Sequence, residues 1–282
     1  MRNSFANALK SSWLIIKLVI PIYILADLLL YYGLLSKISF IFEPITKLLH
    51  LPPEAALSIV SGMFLNLYAA ISFAAPLGLS PSEWTILAIF LGVCHSLLVE
   101  NAVMKKLGIS NKYSYILRIG GGVLIAYSST FIISNDGAKS IVKEVSKKHF
   151  NNLFDLLLNS FYNASILALK IIAIIVVLIF LMDFIKSKFN AKNVSLSFAM
   201  GAGLLLGITY GAGVLISEAK NMSKKEILFV ATFLSICHSV IEDTLLFVIY
   251  GASFTQIIAI RVVWATILSY LVVKFYSMKG FK

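Results

Sequence analysis

Apolar residues run through this chain in long blocks separated by short polar stretches. Trp13 to Leu35, Glu54 to Ala75, Ser82 to Lys106, Tyr113 to Ser134, a block beginning at Phe161, Ser195 to Ser217, Lys224 to Tyr250 and Phe254 to Tyr276 are all predominantly apolar. Several reach the roughly 20 residues that a helix needs to cross about 30 Å of hydrocarbon. Ser36 to His50 behaves differently: Ile38, Phe42, Ile45, Leu48 and Leu49 alternate with Lys37, Glu43 and Lys47, the pattern of a short helix lying in the interface, ended by Pro52 and Pro53. Asn135 to Ser160 is polar and lysine-bearing with spaced apolar positions, and reads as an amphipathic linker helix.

The pattern occurs twice. Cys94-His95-Ser96 recurs as Cys237-His238-Ser239, and at the same separation Ser80 and Glu83 answer Ser223 and Glu226, Gly108 answers Gly251, and Arg118 answers Arg261. This divides the chain into a first repeat over 1–134, a linker over 135–160 and a second repeat over 161–282. Ser80 with Glu83, and Ser223 with Glu226, have capping-box spacing, so a helix is expected to start at each pair.

Composition narrows the class. With 59% hydrophobic and 13% charged residues in 282, the chain exceeds what one aqueous globule can bury, and the fold class is an all-α polytopic membrane protein. The net charge of +11 lies mostly in short loops, where basic residues set orientation, so no nucleic acid is expected as a partner. The residues Met1 to Lys10 lack a secretory cleavage pattern, and the first apolar block is expected to remain as a helix. Both cysteines lie inside apolar blocks, which argues against a disulfide framework.

Two topologies follow. If Glu54 to Ala75 and Ser195 to Ser217 each cross fully, there are eight spans, four in each half. If each dips in and returns, the halves are inverted repeats of three transmembrane helices plus a re-entrant helical hairpin. With a cytoplasmic N-terminus, the second arrangement moves Lys105, Lys106, Lys112, Lys186, Lys188 and Lys192 inside in exchange for Lys139, Lys143, Lys147 and Lys148, and the positive-inside rule favours it. The expected location is a bacterial or archaeal cytoplasmic membrane with both termini cytoplasmic. Glycine and small residues in both hairpin segments (Gly62 in one; Gly201, Gly203, Gly207, Gly211 and Gly213 in the other) fit close packing or turns.

Ionisable residues at membrane depth are functional candidates by default. The substrate-binding candidates are Tyr68, Cys94, His95, Ser96, Glu100, Tyr210, Cys237, His238, Ser239 and Asp243, with Arg118 and Arg261 as charge partners of Glu100 and Asp243 or of an anionic solute. Were a metal bound, His95, His238 and Glu242 would be its ligands. On one continuous helix His238 and Glu242 share a face, whereas His95 and Glu100 do not. The spacing kept in both halves is hydroxyl to carboxylate, Ser96 to Glu100 and Ser239 to Asp243, which favours a polar solute or ion pathway over a histidine-carboxylate centre. Asp27 and Asp183 read as helix-packing residues. Adjacent Ser and His in one helix do not make a nucleophile-base-acid set, so no enzyme activity is expected.

Gly207-Ile-Thr-Tyr-Gly-Ala-Gly-Val-Leu, Met222-Ser-Lys-Lys-Glu and Cys237-His-Ser, with the parallel series Leu67-Tyr-Ala-Ala, Leu79-Ser-Pro-Ser-Glu and Cys94-His-Ser, resemble the Gate or nucleoside-recognition family. Its domain is shared with concentrative nucleoside transporters and the membrane part of ferrous-iron permeases. The resemblance implies secondary transport of a small polar, nucleoside-like solute by alternating access with no cofactor; coupling to Na⁺ or H⁺ stays open. It also implies that Gly207 to Val214 lies near a hairpin tip facing a break at Cys237 to Ser239. The nucleoside transporters place a carboxylate after the Gly-x-Thr of the tip, and Tyr210 stands there in this chain. The GTPase domain of the iron permeases is missing from this sequence. Divalent-metal permeation and a non-transporting assembly protein that docks a partner helix stay open, as does a homodimer.

Overall fold

The computed structural model describes residues 2–34, 42–133, 152–188, 200–201, 203–205, 207, 216, 219 and 222–278. Among these there is no strand; the fold is all-helical. Helix α1 spans Arg2–Tyr31 and runs through Pro21 without interruption. Helix α2 is the short Glu43–Leu48 segment, with a Lys47–Glu43 ion pair at 2.7 Å on its exposed side; it ends in a turn at Leu49 and His50, and residues 36–41 of the predicted interfacial helix lie outside the described residues.

Glu54 to Ala75 does not form one long helix. It is split into α3 (Ala56–Phe64) and α4 (Leu67–Ala74), too short at nine and eight residues to cross hydrocarbon singly. The chain turns at Leu65 and at extended Asn66, whose side chain caps α4 by accepting from the Ala69 amide at 3.0 Å. The two pieces fold against each other, with the Ser58 hydroxyl donating to the Ala70 carbonyl at 2.8 Å.

The expected capping boxes start α5 (Pro81–Cys94) and, in the second half, α10 (Lys224–Ile236). Glu83 and Glu226 reach back to the Ser80 and Ser223 amides at 2.6 and 2.7 Å. Replacing Ser80 by Ala is expected to destabilise the protein by about 1 kcal/mol in detergent unfolding, the usual loss for an N-cap hydroxyl. Helix α6 (Leu97–Lys106) continues α5 after a break and α11 (Val240–Val248) continues α10 in the same way. The repeat-related glycines after them both take left-handed backbone, Gly108 at φ 85° and Gly251 at φ 90°.

The last element of the first half winds as α7 (Asn111–Tyr115), a π-turn over Ile116–Gly120 that carries Arg118, and α8 (Gly121–Thr130). Helix α9 runs from Leu153 to Lys188, so the end of the predicted linker, from Leu153 onward, belongs to this long helix. Residues 134–151 and most of the second hairpin segment lie outside the described residues. Helix α12, Phe254–Met278, is continuous and carries Arg261.

Among the described residues, five stretches are long and apolar enough to cross a membrane: Phe5–Tyr31, Pro81–Lys106, Leu153–Leu181, Lys224–Val248 and Phe254–Tyr276. Burial sorts them. The two interrupted stretches are 72% and 61% buried inside the protein, against 22–28% for the other three, so the broken helices form the centre and the continuous ones face outward. Helix α1 packs on α9, where Ser160 donates to buried Asp27 at 2.6 Å, satisfying that acid as the sequence suggested. Helices α5 and α11 touch across the two halves, and one apolar core cluster draws residues from both.

Candidate functional site

Each central helix stops at its Cys-His-Ser triplet. His95 is extended and Ser96 is left-handed at φ 46°; in the second half Cys237 leaves helical geometry and Ser239 is left-handed at φ 44°. A non-glycine residue in this region is strained, and such residues persist where surroundings enforce them. Those surroundings include glycine carbonyls of the segments that precede each central helix. The Ser96 amide leaves its own helix and donates to the Gly62 carbonyl at 2.9 Å, and the Ser96 hydroxyl to the Leu65 carbonyl at 3.2 Å. The Ser239 amide meets the Gly203 carbonyl at 3.4 Å in the same fashion. Both glycines lie where a side chain has no room: a Cβ on Gly62 would come within 2.6 Å of Leu91, and one on Gly203 within 2.8 Å of Leu234. Gly207, at φ 86°, lies so close to Ser239 that a Cβ there would overlap its hydroxyl.

A broken helix leaves carbonyls without donors, and in a membrane interior these must be satisfied by protein. Two fully buried arginines do this. Arg118 donates through Nε to Val93 at 2.8 Å and through Nη2 to His95 at 2.6 Å. Arg261 donates through Nε to Ile236 at 3.1 Å and through Nη2 to His238 at 2.8 Å, repeating the arrangement residue for residue. Its Nη2 also reaches into the first half, to the Gly92 carbonyl at 2.7 Å, which the Ser96 amide has vacated. Each guanidinium pairs with the expected acid: Arg118 Nη2 with Glu100 Oε2 at 2.7 Å, and Arg261 Nη1 with Asp243 Oδ2 at 3.5 Å.

The histidines converge from opposite halves. His95 Nδ1 lies 2.8 Å from the Leu91 carbonyl and His238 Nδ1 lies 2.7 Å from that of Leu234. Their Nε2 atoms lie 3.1 and 3.0 Å from one oxygen, Glu100 Oε1, and the ring centroids are 5.1 Å apart. The donor atoms of His95, His238 and Asp243 all fall within 4.8 Å of one another. Glu242 accepts a hydrogen bond from Tyr68, the aromatic residue of the first hairpin.

The predicted site residues therefore separate. His95, His238, Glu100, Asp243, Arg118 and Arg261 form one buried cluster; Ser96 bonds through its amide and hydroxyl to Gly62 and Leu65, and Ser239 through its amide to Gly203; Tyr68 reaches the cluster's edge through Glu242. Cys94 and Cys237 are fully buried, and Cys94 packs beside Gly122 in the apolar core. Tyr210 lies outside the described residues. The helix-face reasoning needs correction: His95 and Glu100 meet although they are five apart, because the break between them resets the helical phase, and His238 meets Glu100 of the other half. The donor set includes Asp243, where the sequence suggested Glu242. Gly92 escaped notice because the repeat offers no glycine at its counterpart, Ser235.

Comparison with known proteins agrees with the resemblance for the motif series of the first repeat. Residues 12–110 match the Gate family model, described as nucleoside recognition. That match takes in α1, the first hairpin and the first Cys-His-Ser break. Over 283 aligned residues the chain is 29% identical to the uncharacterized membrane protein YvoD of Bacillus subtilis (strain 168), covering 94% of this chain and 91% of that protein. No solved structure matches. With five apolar stretches of spanning length among the described residues, a Gate match and a membrane-protein relative, this chain is an integral multi-pass membrane protein.

Proposed function

We propose that this protein is a secondary-type transporter that moves a small polar solute, nucleoside-like in class, through one central site between two inverted halves. The observation that carries the reading is the repeated contact of a helix break with a glycine carbonyl of the segment before it, Ser96 on Gly62 and Ser239 on Gly203. Interrupted segments that line a central site are how many secondary transporters hold substrate at the midplane, because freed backbone groups and polar side chains then face a cavity in place of lipid. In this reading α3 and α4 form a re-entrant hairpin, the membrane is the cytoplasmic one, both termini are cytoplasmic, and no covalent chemistry is performed. Alternating exposure requires each hairpin to lift from its break. The few hydrogen bonds that hold Ser96, through its amide and hydroxyl, and Ser239, through its amide, are weak enough for that, at about 0.5–1.5 kcal/mol net each.

The test is uptake of a panel of labelled nucleosides into proteoliposomes, with imposed Na⁺ or H⁺ gradients. The expected result is gradient-driven accumulation that is lost when His95→Ala and His238→Ala are combined. Wild-type protein that reconstitutes intact but moves none of the panel under either gradient would sink the nucleoside-like assignment.

A further inference from the structure

The contacts of the two histidines cannot all be hydrogen bonds of neutral rings. A carbonyl oxygen only accepts, so Nδ1 of His95 and of His238 must each carry hydrogen to satisfy Leu91 and Leu234. A neutral imidazole protonated at Nδ1 presents a lone pair at Nε2. Both Nε2 atoms nevertheless lie 3.0–3.1 Å from Glu100 Oε1, itself an acceptor. Three electron pairs thus point into one small volume, and a carboxylate oxygen of Asp243 lies within 4.8 Å of a nitrogen of each ring.

Positive charge must fill that volume. Protons could do so only in pairs, on both rings or on one ring and the Glu100 carboxyl, with the ring centroids 5.1 Å apart inside the protein. One divalent ion supplies the same charge at the point where the electron pairs meet. The spacing suits it: tetrahedral ligands at metal distances of about 2.0–2.1 Å lie about 3.3 Å from each other, close to the 3.0 and 3.1 Å found. The supporting contacts are those metal-bound histidines and carboxylates use. Each Nδ1–H is held by a backbone carbonyl, which fixes tautomer and ring orientation. Each carboxylate has an arginine ion-paired to one oxygen, Glu100 at Oε2 and Asp243 at Oδ2, and the other oxygen of Glu100, Oε1, is the one that faces the rings.

We propose that His95, His238, Glu100 and Asp243 form a site for one divalent transition-metal ion where the two helix breaks meet. Imidazole with carboxylate suits Zn²⁺ and its first-row neighbours better than Mg²⁺ or Ca²⁺, which favour all-oxygen sets. The buried cysteines are not ligands. The inference rests on reading this cluster as the functional site, but not on transport, so its test uses detergent-solubilised protein in which no flux occurs.

Chelator-stripped protein is titrated with Zn²⁺ by calorimetry and with Co²⁺ by visible absorption. The expected result is one ion per chain and the intense d–d bands of tetrahedral Co²⁺. His95→Ala and His238→Ala are each expected to weaken Zn²⁺ binding more than about 100-fold, beyond the 10–100-fold typical of supporting residues. Glu100→Gln, which keeps shape and removes charge, should weaken it similarly, and His50→Ala, an exposed histidine elsewhere, should leave it unchanged. Should the alanine variants fail to fold, X-ray absorption on metal-loaded wild-type protein decides, with a nitrogen and oxygen shell including two imidazoles expected. Wild-type protein that binds neither ion, binding unaffected by Glu100→Gln, or a sulfur shell would each overturn the site. Failure of nucleoside uptake alone leaves it standing.

Discussion

Replacing Arg261 by Met is expected to destabilise the folded protein by about 3–5 kcal/mol, the range for removing one partner of a buried ion pair. The guanidinium is fully buried and satisfies three main-chain carbonyls, Ile236, His238 and Gly92, as well as Asp243. Met fills comparable volume but donates nothing, leaving the carbonyls of both broken helices and one carboxylate without partners. Chemical unfolding in detergent, followed by circular dichroism, measures the loss. Adding Asp243→Leu should recover part of it, because the stranded charge goes with its partner; the carbonyls remain orphaned, so recovery should be incomplete. Full recovery would mean that the arginine serves the acid alone. A loss below about 1 kcal/mol for Arg261→Met would show that water or another group already satisfies these carbonyls.

Gly92→Ala is the second large effect. A Cβ at this position would stand 2.8 Å from Arg261 Cζ, 2.9 Å from Nη1 and 3.0 Å from Nε. The flat face of a guanidinium held by its neighbours cannot withdraw as the tip of an aliphatic chain could. The one added methyl is therefore expected to cost about 1–3 kcal/mol through overpacking, and to move Arg261 off the His238 carbonyl. The two substitutions should not add. In the Arg261→Met background, where a flexible chain replaces the planar group, Gly92→Ala should cost measurably less; strict additivity would argue against the contact.

Much of this molecule can be read before it folds. The apolar blocks and the capping-box pairs locate the helices because each depends on neighbours along the chain. Repetition links Glu100 to Asp243 and Arg118 to Arg261, and both ion pairs form. The hairpins are partly legible: Asn66 and the small residues around it mark an interrupted segment, but nothing local says that Gly62 will take the amide of Ser96. The two hairpin glycines, Gly62 and Gly203, also fall at a slightly different separation from the Cys-His-Ser repeats, which hides their equivalence. Sequence reasoning was misled at His95 and Glu100, since helical phase holds only on an unbroken helix and Ser96, with a positive φ, breaks it.

What the chain determined alone is therefore local and periodic: a membrane class from hydropathy, helix starts from capping chemistry, a duplicated set of polar residues from repetition. What only the tertiary structure decided is which half each polar residue serves. His238 turns to Glu100 of the first repeat, and Arg261 crosses to Gly92. Both crossings arise because a broken helix must find partners for its freed carbonyls and polar side chains inside a medium that offers no water, and the nearest available groups belong to the other repeat.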